Sequence, residues 1–414
     1  MQKRPLVAIA ALSAAAALAL TGCSSSGGGG NGGGGGGGNA GGGGLGGGNS
    51  PTNAGGSSQT YKIGFEGPLS GPNAQLGINE VYGVEIAVQQ ANANKNLGFK
   101  VQLVKSDDEG DPAKSPAAAD QLIQDPTILG VIGPSFSGST LAVGKKYSAA
   151  GMPFITPSAT NATLQQQGFT TFHRIVPNDN VEGSQAADWL ARRHVKKLFV
   201  LQDLSTYGKG VGDTVAKQAR KDHINVIEQG LDGTTTKNYN PIAQTIKASG
   251  ADALFYGGYD AQAALLAKAL KAVGYTGITV GGNGIKSSVF TQSSGAAGNG
   301  WYMTCGCQDA TVAPQSKAFA SAYQGKFHTP ASTYSPEAYD ATNALIQAIK
   351  DAASNGTPTR ASVEAAVNHI TYHGITTTVK FQPNGDLLSS VQTVNLYRQL
   401  HGKIIELGNI KQQH

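Results

Sequence analysis

After Tyr61 the chain alternates short apolar runs with amphipathic segments at a regular interval. The apolar runs predict strands at residues 62–65, 101–105, 128–132, 153–156, 197–202, 224–228, 253–256 and 278–280. The amphipathic segments predict helices at residues 77–93, 113–124, 140–150, 181–193, 208–221, 241–248 and 261–273. Strands and helices that alternate at this interval predict parallel sheets covered by helices on both faces.

The pattern changes near Trp301. A single long helix is predicted at residues 336–353, and strand-like runs follow at 376–381 and 391–397. We interpret this change as the chain crossing back between two lobes.

The first sixty residues have a different composition. No charged residue occurs between Pro5 and Tyr61, and 20 of the 30 positions from Gly27 to Gly56 are glycine. Such a segment cannot bury a core. Residues 23–60 are therefore predicted to be a disordered tether, about 35 Å from end to end for a glycine-rich coil.

The amino terminus is typical of an export signal. Lys3 and Arg4 precede an apolar stretch at residues 6–20, which is too short to span a membrane. The string Leu20-Thr21-Gly22-Cys23 resembles the bacterial lipobox. We expect residues 1–22 to be a lipoprotein signal peptide and Cys23 to carry the lipid. The alternative is an ordinary signal cleaved near Ala19.

Charge and hydropathy exclude two classes of protein. The formal net charge is +5, without a basic run or a basic stripe interleaved with aromatic residues. Nucleic acid is therefore not expected as a partner. No apolar run of about 18 residues occurs after residue 22, which argues against a polytopic membrane protein.

Two clusters of hydroxyl side chains follow predicted strands. Ser135, Ser137 and Ser139 open a helix after one strand, and Ser158 and Thr160 follow the next strand. The ends of neighbouring parallel strands meet at a crevice where ligands bind. A helix N-terminus with hydroxyl groups favours a small anion such as a carboxylate. The alternative is that these side chains only cap helices and turns.

Motifs for catalysis, nucleotides and metals do not fit. The string from Gly133 has Ser139 where a phosphate-binding loop needs lysine, and the dinucleotide-like string from Gly208 ends in Asp213. The sequence contains no G-x-S-x-G or H-E-x-x-H motif. The acids at residues 107–111 are expected to cap the following helix and face solvent. We predict no enzyme activity, no cofactor and no metal.

The cysteine pair at Cys305 and Cys307 is too closely spaced for a usual zinc site. In an exported protein these thiols are expected to be oxidised, to each other or to small thiols, with a structural role favoured over a redox role.

Seven strings occur in order along the chain: Ile63-Gly-Phe-Glu-Gly-Pro-Leu-Ser-Gly-Pro72, Ala74-Gln-Leu-Gly77, Asp107-Asp-Glu-Gly-Asp-Pro112, Val131-Ile-Gly133, Pro157-Ser-Ala-Thr-Asn161, Tyr207-Gly208 and Tyr256-Gly-Gly-Tyr259. Together they resemble the substrate-binding proteins of branched-chain amino acid ABC transporters, the leucine/isoleucine/valine-binding type of periplasmic binding protein. The resemblance extends from Tyr61 to about Leu407.

The resemblance implies an α/β fold of two Rossmann-like lobes with parallel sheets, the periplasmic binding protein-like I fold, which closes around a ligand by a hinge motion. It implies three hinge crossovers, near residues 177, 305–308 and 386. Lobe 1 would comprise residues 61–177 plus 308–385, and lobe 2 residues 178–307 plus 386–414.

The resemblance also implies which side chains meet a ligand. The ligand carboxylate would meet hydroxyls and backbone of the first lobe, tyrosines would close from the second lobe, and a further tyrosine would line the apolar side. The implied ligand-binding residues are Ser135, Phe136, Ser137, Ser158, Ala159, Thr160, Tyr207, Tyr259, Asn283 and Tyr334.

Two positions depart from the family pattern. Asn283 stands where the family has the acid that binds the ligand's ammonium group, and Leu76 stands where the family often has an aromatic residue. Asp260 could replace the missing acid only if its side chain turned inward. The carboxylate half of an amino acid site is therefore expected to be present, and the ammonium half is expected to lack its usual acid.

These observations lead to one expected function and one alternative. We expect an extracytoplasmic, lipid-anchored, monomeric solute-binding protein that captures a small amino acid-like, carboxylate or amide solute and delivers it to an ABC permease. The alternative is a membrane-tethered sensor that passes ligand-induced closure to a signalling partner.

Overall fold

The computed structural model describes residues 59–414. The predictions for the signal peptide, Cys23 and nearly all of the tether lie outside these residues. The strands are β1 (Thr60–Gly67), β2 (Lys100–Asp107), β3 (Ile128–Ile132), β4 (Phe154–Thr156), β5 (Phe172–Arg174), β6 (Lys197–Gln202), β7 (Asn225–Gly230), β8 (Ala253–Gly257), β9 (Ile278–Gly281), β10 (Tyr302–Cys305), β11 (Tyr372–His373), β12 (Thr378–Val379), β13 (Asn395–Leu400) and β14 (Lys403–Asn409). The helices are α1 (Ala74–Ala93), α2 (Ser115–Ile123), α3 (Ser137–Ala149), α4 (Asp179–Arg192), α5 (Thr206–Lys221), α6 (Asn240–Ala248), α7 (Asp260–Ala272), α8 (Ser288–Ser294), α9 (Lys317–Phe327), α10 (Ser335–Ala353) and α11 (Arg360–Asn368).

The strands form two main sheets. The first sheet has five strands in the order β2-β1-β3-β4-β5, all parallel. The second has seven in the order β14-β13-β10-β9-β8-β6-β7. Strands β6, β7, β8, β9 and β10 of this sheet are parallel to one another, whereas β13 and β14 are antiparallel to their neighbours. Strands β11 and β12 form a small separate pair.

The central strands are apolar because helices cover both of their faces. All five residues of β3 and all five of β8 are buried, whereas the edge strand β7 is largely exposed. On the first sheet, α1 and α10 share one core with β1. The two helices approach closely at Gly83, where a Cβ would lie 2.1 Å from the carbonyl oxygen of Ser335. A larger residue at this position would push the helices apart.

The chain passes between the two sheets three times. It leaves the first sheet after β5 and enters the second through α4 and β6. It returns after β10, since α10 packs on the first sheet. It crosses a third time after Asp386, which forms a bridge with Arg174 of β5, and enters β13.

Several elements differ from the sequence predictions. Strands β5, β10 and β14 and helices α8, α9 and α11 were not predicted from the pattern. The run at 376–381 gives only the two-residue strand β12, and the run at 391–397 becomes a strand only from Asn395. The strands that alternate with helices are parallel, as predicted, whereas β13 and β14, which follow the change in pattern, are antiparallel. These strands pair as a hairpin, which needs no crossover helix.

The prediction for the acids at residues 107–111 is partly wrong. Asp107 accepts hydrogen bonds from the backbone of Leu69 (2.8 Å) and Glu109 (2.8 Å), and Asp111 accepts one from Ala113 (2.9 Å). Asp108 is buried and accepts a bond from Gly110. These carboxyl groups hold the loop, and Asp108 does not face solvent. Among residues 59–414 no cluster of acid, histidine or cysteine side chains is suited to a metal ion.

The two cysteines form a disulfide, Cys305–Cys307, with both side chains buried. This agrees with oxidation of the pair to each other. Among residues 59–414, no helix combines the length and the apolar character that a membrane span requires.

Candidate functional site

A small cavity lies where the carboxyl ends of strands from both sheets face each other. Its volume is about 10 Å³, which is room for about one water molecule. The residues that line it are Leu76, Glu80, Ser135, Phe136, Ser137, Ser158, Tyr207, Tyr259, Asn283, Gly284 and Tyr334. Eight of the ten residues predicted for the ligand site are therefore brought together.

The other two predicted residues lie behind the cavity wall. Ala159 and Thr160 are buried, but they do not line the cavity. The carbonyl oxygen of Ala159 accepts a hydrogen bond from Arg174 (2.9 Å), and that of Thr160 accepts one from Asp179 (2.8 Å). In this structure both residues support the loop that carries Ser158.

The first-sheet side of the cavity is built from serines. Ser135 donates a hydrogen bond to Glu80 Oε2 (2.6 Å), and Ser158 donates one to the carbonyl oxygen of Ser135 (2.7 Å). Ser137 accepts one from the backbone of Asn161 (3.1 Å), which leaves its own hydroxyl proton free to donate. Ser137 is also the first residue of α3, and the first-turn amides of a helix have no partner within the helix.

The geometry before α3 depends on a glycine. Gly133 has φ +114°, and a Cβ at this position would lie 2.1 Å from the carbonyl oxygen of Glu66. Only glycine fits this turn without displacing the backbone. The turn carries Ser135 and Phe136 from the end of β3 into the cavity.

The second-sheet side is aromatic. The Tyr207 ring lies 5.4 Å from the Tyr259 ring, and Tyr259 lies 4.6 Å from Phe136, which belongs to the first-sheet side. Tyr207 also accepts a hydrogen bond from the backbone of Gly284 (3.1 Å). Phe136 and Tyr259 line both the cavity and an outer groove of about 390 Å³. Their ring contact therefore separates the two spaces.

Tyr334 completes the wall immediately before α10. Its backbone is left-handed, with φ 66°, and its side chain is buried with its ring against the second-sheet core. Burial raises the pKa of the Tyr334 hydroxyl well above its usual value, so the group stays protonated at neutral pH.

Asn283 is held by a buried acid. Its backbone N–H donates to Glu182 Oε1 (2.9 Å), and its side-chain Nδ2 donates to Glu182 Oε2 (2.6 Å). Thr304 donates a third bond to Glu182 Oε1 (2.8 Å). Because Nδ2 donates to Glu182 Oε2, the NH₂ group of Asn283 faces Glu182 and its Oδ1 is turned away from that oxygen.

Asp260 does not take the place of the missing acid. Its Oδ2 accepts a hydrogen bond from Ser287 (2.5 Å), its Oδ1 accepts one from the backbone of Ala261 (2.8 Å), and it does not line the cavity. Asp260 is the first residue of α7, and these hydrogen bonds hold its side chain at the start of that helix.

Two buried acids at the site were not predicted. Glu80 lines the cavity, and burial raises its pKa to about 8, against the opposing effect of the Ser135 and Ser158 hydroxyls. The sequence contained a signal for it, because Glu80 is spaced four residues from Leu76 and from Val84, both of which face the core. A charged residue on a buried helix face is a candidate functional residue.

Glu182 gave no such signal. It lies with Asp179 in the first turn of α4, where acids are common at helix N-termini. Burial raises the pKa of Glu182 to about 7 and that of Asp179 to about 8, with the charge of Glu182 adding to the shift of Asp179. Only the fold shows that Glu182 reaches Asn283 from another element.

Two α/β lobes that face each other across a cavity lined by hydroxyl and aromatic side chains define a bilobal ligand-binding protein. The sequence profile of the family described as "Periplasmic binding protein" matches residues 60–396. The chain belongs to this family, which confirms the family prediction. The relatives are solute-binding proteins of ABC transporters and not enzymes, and the family implies an extracytoplasmic location.

Individual relatives show the extent of the similarity. The Leu/Ile/Val-binding protein BraC3 of Rhizobium johnstonii is 29% identical over 83% of this chain and 92% of that protein. A branched-chain amino acid transporter substrate-binding protein of Streptococcus pneumoniae, solved in complex with isoleucine, is 24% identical with a TM-score of 0.75 over 84% of this chain and 100% of that one. An ABC transporter solute-binding protein of R. palustris, solved in complex with benzoate, is 20% identical with a TM-score of 0.76 over 85% of this chain and 96% of that one.

Proposed function

We propose that this protein captures a small amino acid-like, carboxylate or amide solute between its two lobes and delivers it to an ABC permease. The observation that carries the proposal is the convergence of eight predicted site residues on one buried cavity between the two sheets. We also propose that lobe 1 comprises residues 61–177 plus 308–385 and that lobe 2 comprises residues 178–307 plus 386–414.

The first-sheet side supports an anionic or carbonyl group on the solute. The free hydroxyl proton of Ser137 and the first-turn amides of α3 are donors at the positive end of a helix dipole. Hydrogen bonds to a charged group contribute about 1.5–3 kcal/mol each. A carboxylate or an amide carbonyl therefore suits this end of the cavity.

The second-sheet side supports a neutral donor more than an ammonium group. Asn283 offers a carbonyl oxygen, and the carboxyl group of Glu182 already accepts three hydrogen bonds. Glu80 also lines the cavity, but its pKa of about 8 means that an ammonium group would first have to displace a proton from it at neutral pH. An α-ammonium group thus meets no free carboxylate that is already ionised, which weakens its binding by about 1.5–3 kcal/mol. We expect weak binding of leucine, isoleucine and valine.

The relatives support this reading of the fold. Isoleucine occupies one of them and benzoate, which has a carboxylate and no amino group, occupies another. The periplasmic binding fold therefore serves solutes with and without an ammonium group, and the side chains around the cavity select between them.

Contacts between the lobes support closure around the solute. Asn161 Nδ2 donates a hydrogen bond to the carbonyl oxygen of Thr206 (2.6 Å), and Phe136 packs on Tyr259. Opening the lobes would break both contacts and give a solute access to the cavity. Hinge closure of this kind is a common device for enclosing small ligands.

Membrane attachment rests on the sequence of the amino terminus. We propose that a lipid on Cys23 anchors the protein outside the cytoplasm, and that the glycine-rich tether keeps the lobes near the permease. Replacing Cys23 by Ala should release the protein from the membrane fraction into the soluble extracytoplasmic fraction. Retention of Cys23→Ala in the membrane fraction would contradict lipidation.

Matched ligands test the solute class. Calorimetry would compare leucine with 4-methylpentanoate, which has the same carbon skeleton and carboxylate but no amino group. We expect 4-methylpentanoate to bind at least as tightly as leucine. Leucine that binds tenfold or more tightly would refute our assignment of Asn283. Mass spectrometry of the small molecule that copurifies with the protein would identify the natural solute.

A further inference from the structure

A second cavity lies at the place where the chain passes between the two sheets. Its volume is about 180 Å³. Residues from all three passages line it: Pro177 from the first, Gly306 and Gln308 from the second, and Asn395 from the third. We call it the crossover cavity. It shares no lining residue with the cavity proposed for the solute.

An incompletely satisfied acid faces this cavity. Glu337 in the first turn of α10 is 2% exposed and lines the crossover cavity. Its Oε1 accepts a hydrogen bond from the backbone of Gln308 (2.8 Å). Its Oε2 is buried and accepts no hydrogen bond from any other residue in the described part of the chain. A buried acceptor without a partner is costly, so this atom is suited to a donor that enters the cavity.

The charge around the cavity is unbalanced toward the negative. Glu406 also lines it, and neither lysine nor arginine occurs among the described residues that do so. Lys286 is the basic residue near these acids. The charges of Asp309, Glu337 and Glu406 all favour its protonated form. Its Nζ donates to Thr333 (3.3 Å) and lies over the Tyr397 ring. Three acids therefore act on one lysine, and burial lowers the pKa of that lysine against their effect.

The size of the cavity and its donor set indicate which cation fits. About 180 Å³ is several times the space that one water needs. Within residues 59–414 no cluster of three or more acid, histidine or cysteine side chains is placed to bind a metal ion. Carboxylates pair well with planar N–H donors, which can form two parallel hydrogen bonds.

We propose that the crossover cavity is a second ligand site, which binds a small organic cation carrying N–H donors, such as a guanidinium or a primary ammonium group. Glu337 Oε2 accepts from the cation, and Glu406 contributes the second negative charge. Because residues of all three passages line the site, a cation bound there contacts the segments that must move when the lobes open. It therefore couples to solute binding through the free energy of closure.

Proton linkage gives the site a pH signature. Burial raises the pKa of Glu337 to about 8, with Lys286 opposing and Asp340 adding to the shift, and burial also raises the pKa of Glu406. The cation prefers ionised Glu337, so binding releases a proton, and affinity rises as pH increases toward about 8. The affinity for the cation should increase on the order of tenfold between about pH 6.5 and about pH 8.5.

The test uses methylguanidinium chloride as the probe, because it keeps its charge across this pH range. Tetramethylammonium chloride at equal ionic strength is the control cation, since it lacks N–H donors. We expect a saturable rise in Tm of the purified protein with methylguanidinium only, together with proton release in calorimetry. A rise of equal size with both cations, or no saturable rise with methylguanidinium, would overturn the proposal.

Variants assign the effect to the cavity. Glu337→Gln should abolish the saturable response, and Glu406→Gln should weaken it about tenfold. Glu228→Gln removes the same charge from the exposed strand β7 and should respond like the parent protein. If Glu337→Gln does not fold, the response of Glu406→Gln decides. A response in Glu406→Gln equal to that of Glu228→Gln would place the cation elsewhere.

Discussion

Glu182 accepts two hydrogen bonds from Asn283, one from its backbone and one from its side chain. The two residues are 101 positions apart and come from different elements, α4 and the segment after β9. Asn283 lines the cavity, whereas Glu182 does not. In the proposed site, the asparagine therefore stands between the acid and the solute and offers a neutral carbonyl group.

Exchanging the roles of this pair should change the solute preference. In Glu182→Gln with Asn283→Asp, the new glutamine can donate to the new aspartate, which then faces the cavity as an ionised acceptor. We expect leucine to gain about tenfold or more in affinity relative to 4-methylpentanoate, measured by calorimetry.

The single variant Asn283→Asp is the control for this exchange. It places two carboxyl groups side by side, and their repulsion favours protonation of one of them. Its increase in affinity for leucine, relative to 4-methylpentanoate, should be smaller than that of the double variant. An equal or larger increase in the single variant would contradict the proposed arrangement.

Removal of the Ser137 hydroxyl should weaken the anion end of the cavity. We expect Ser137→Ala to lower the affinity for the copurifying solute about 10- to 100-fold, because a hydrogen bond to a charged or strongly polar group is lost. Calorimetry measures the change. Ser288→Ala, at an exposed position of α8, should leave the affinity unchanged. Equal affinities for both variants would show that Ser137 does not contact the solute.

Phe136 should control the size of the solute. Its ring separates the cavity from the outer groove, so Phe136→Ala should join the two spaces and allow bulkier carboxylates to bind. The loss of a buried ring should also lower the free energy of unfolding by about 3 kcal/mol, measured in urea. Phe136→Leu, which keeps most of the apolar volume, should retain the original size preference. Unchanged selectivity in Phe136→Ala would contradict a separating role.

Stability should fall as pH rises through neutrality. Burial raises the pKa values of Glu80 and Asp179 to about 8 and that of Glu182 to about 7. The folded state therefore binds more protons than the unfolded state above the ordinary carboxyl pKa, so the free energy of unfolding decreases with pH. Each group contributes up to about 1.4 kcal/mol per pH unit.

Thermal unfolding checks this sign. We expect a lower Tm at about pH 8 than at about pH 5, and a shallower decrease in Glu80→Gln, whose side chain does not titrate. Asp125 has a pKa lowered to about 2 by Lys62 and Thr127, so its titration should affect stability only in strong acid. Asp125→Asn should therefore show the same decrease of Tm between about pH 5 and about pH 8 as the parent protein. A Tm that rises between these pH values would refute the assignment.

The strand and helix pattern predicted much of the fold because parallel strands covered on both faces are apolar runs that stand out from amphipathic helices. The prediction failed where elements were short or half-exposed. Strand β5 has only three residues, and α9 buries only two of its side chains. The lobe boundaries and the roles of the site residues stay predictions.

The sequence by itself determined the family, the alternation of strands and helices, and the two serine clusters, because these features depend on residues that are close in the chain. Only the tertiary structure decided that Glu182 stands behind Asn283, that Glu80 lines the cavity while Thr160 lies behind its wall, and that Glu337 faces a second cavity. These relationships join residues from distant elements. Their chemistry follows from burial and from the orientation of donors, which arise only when the two sheets pack.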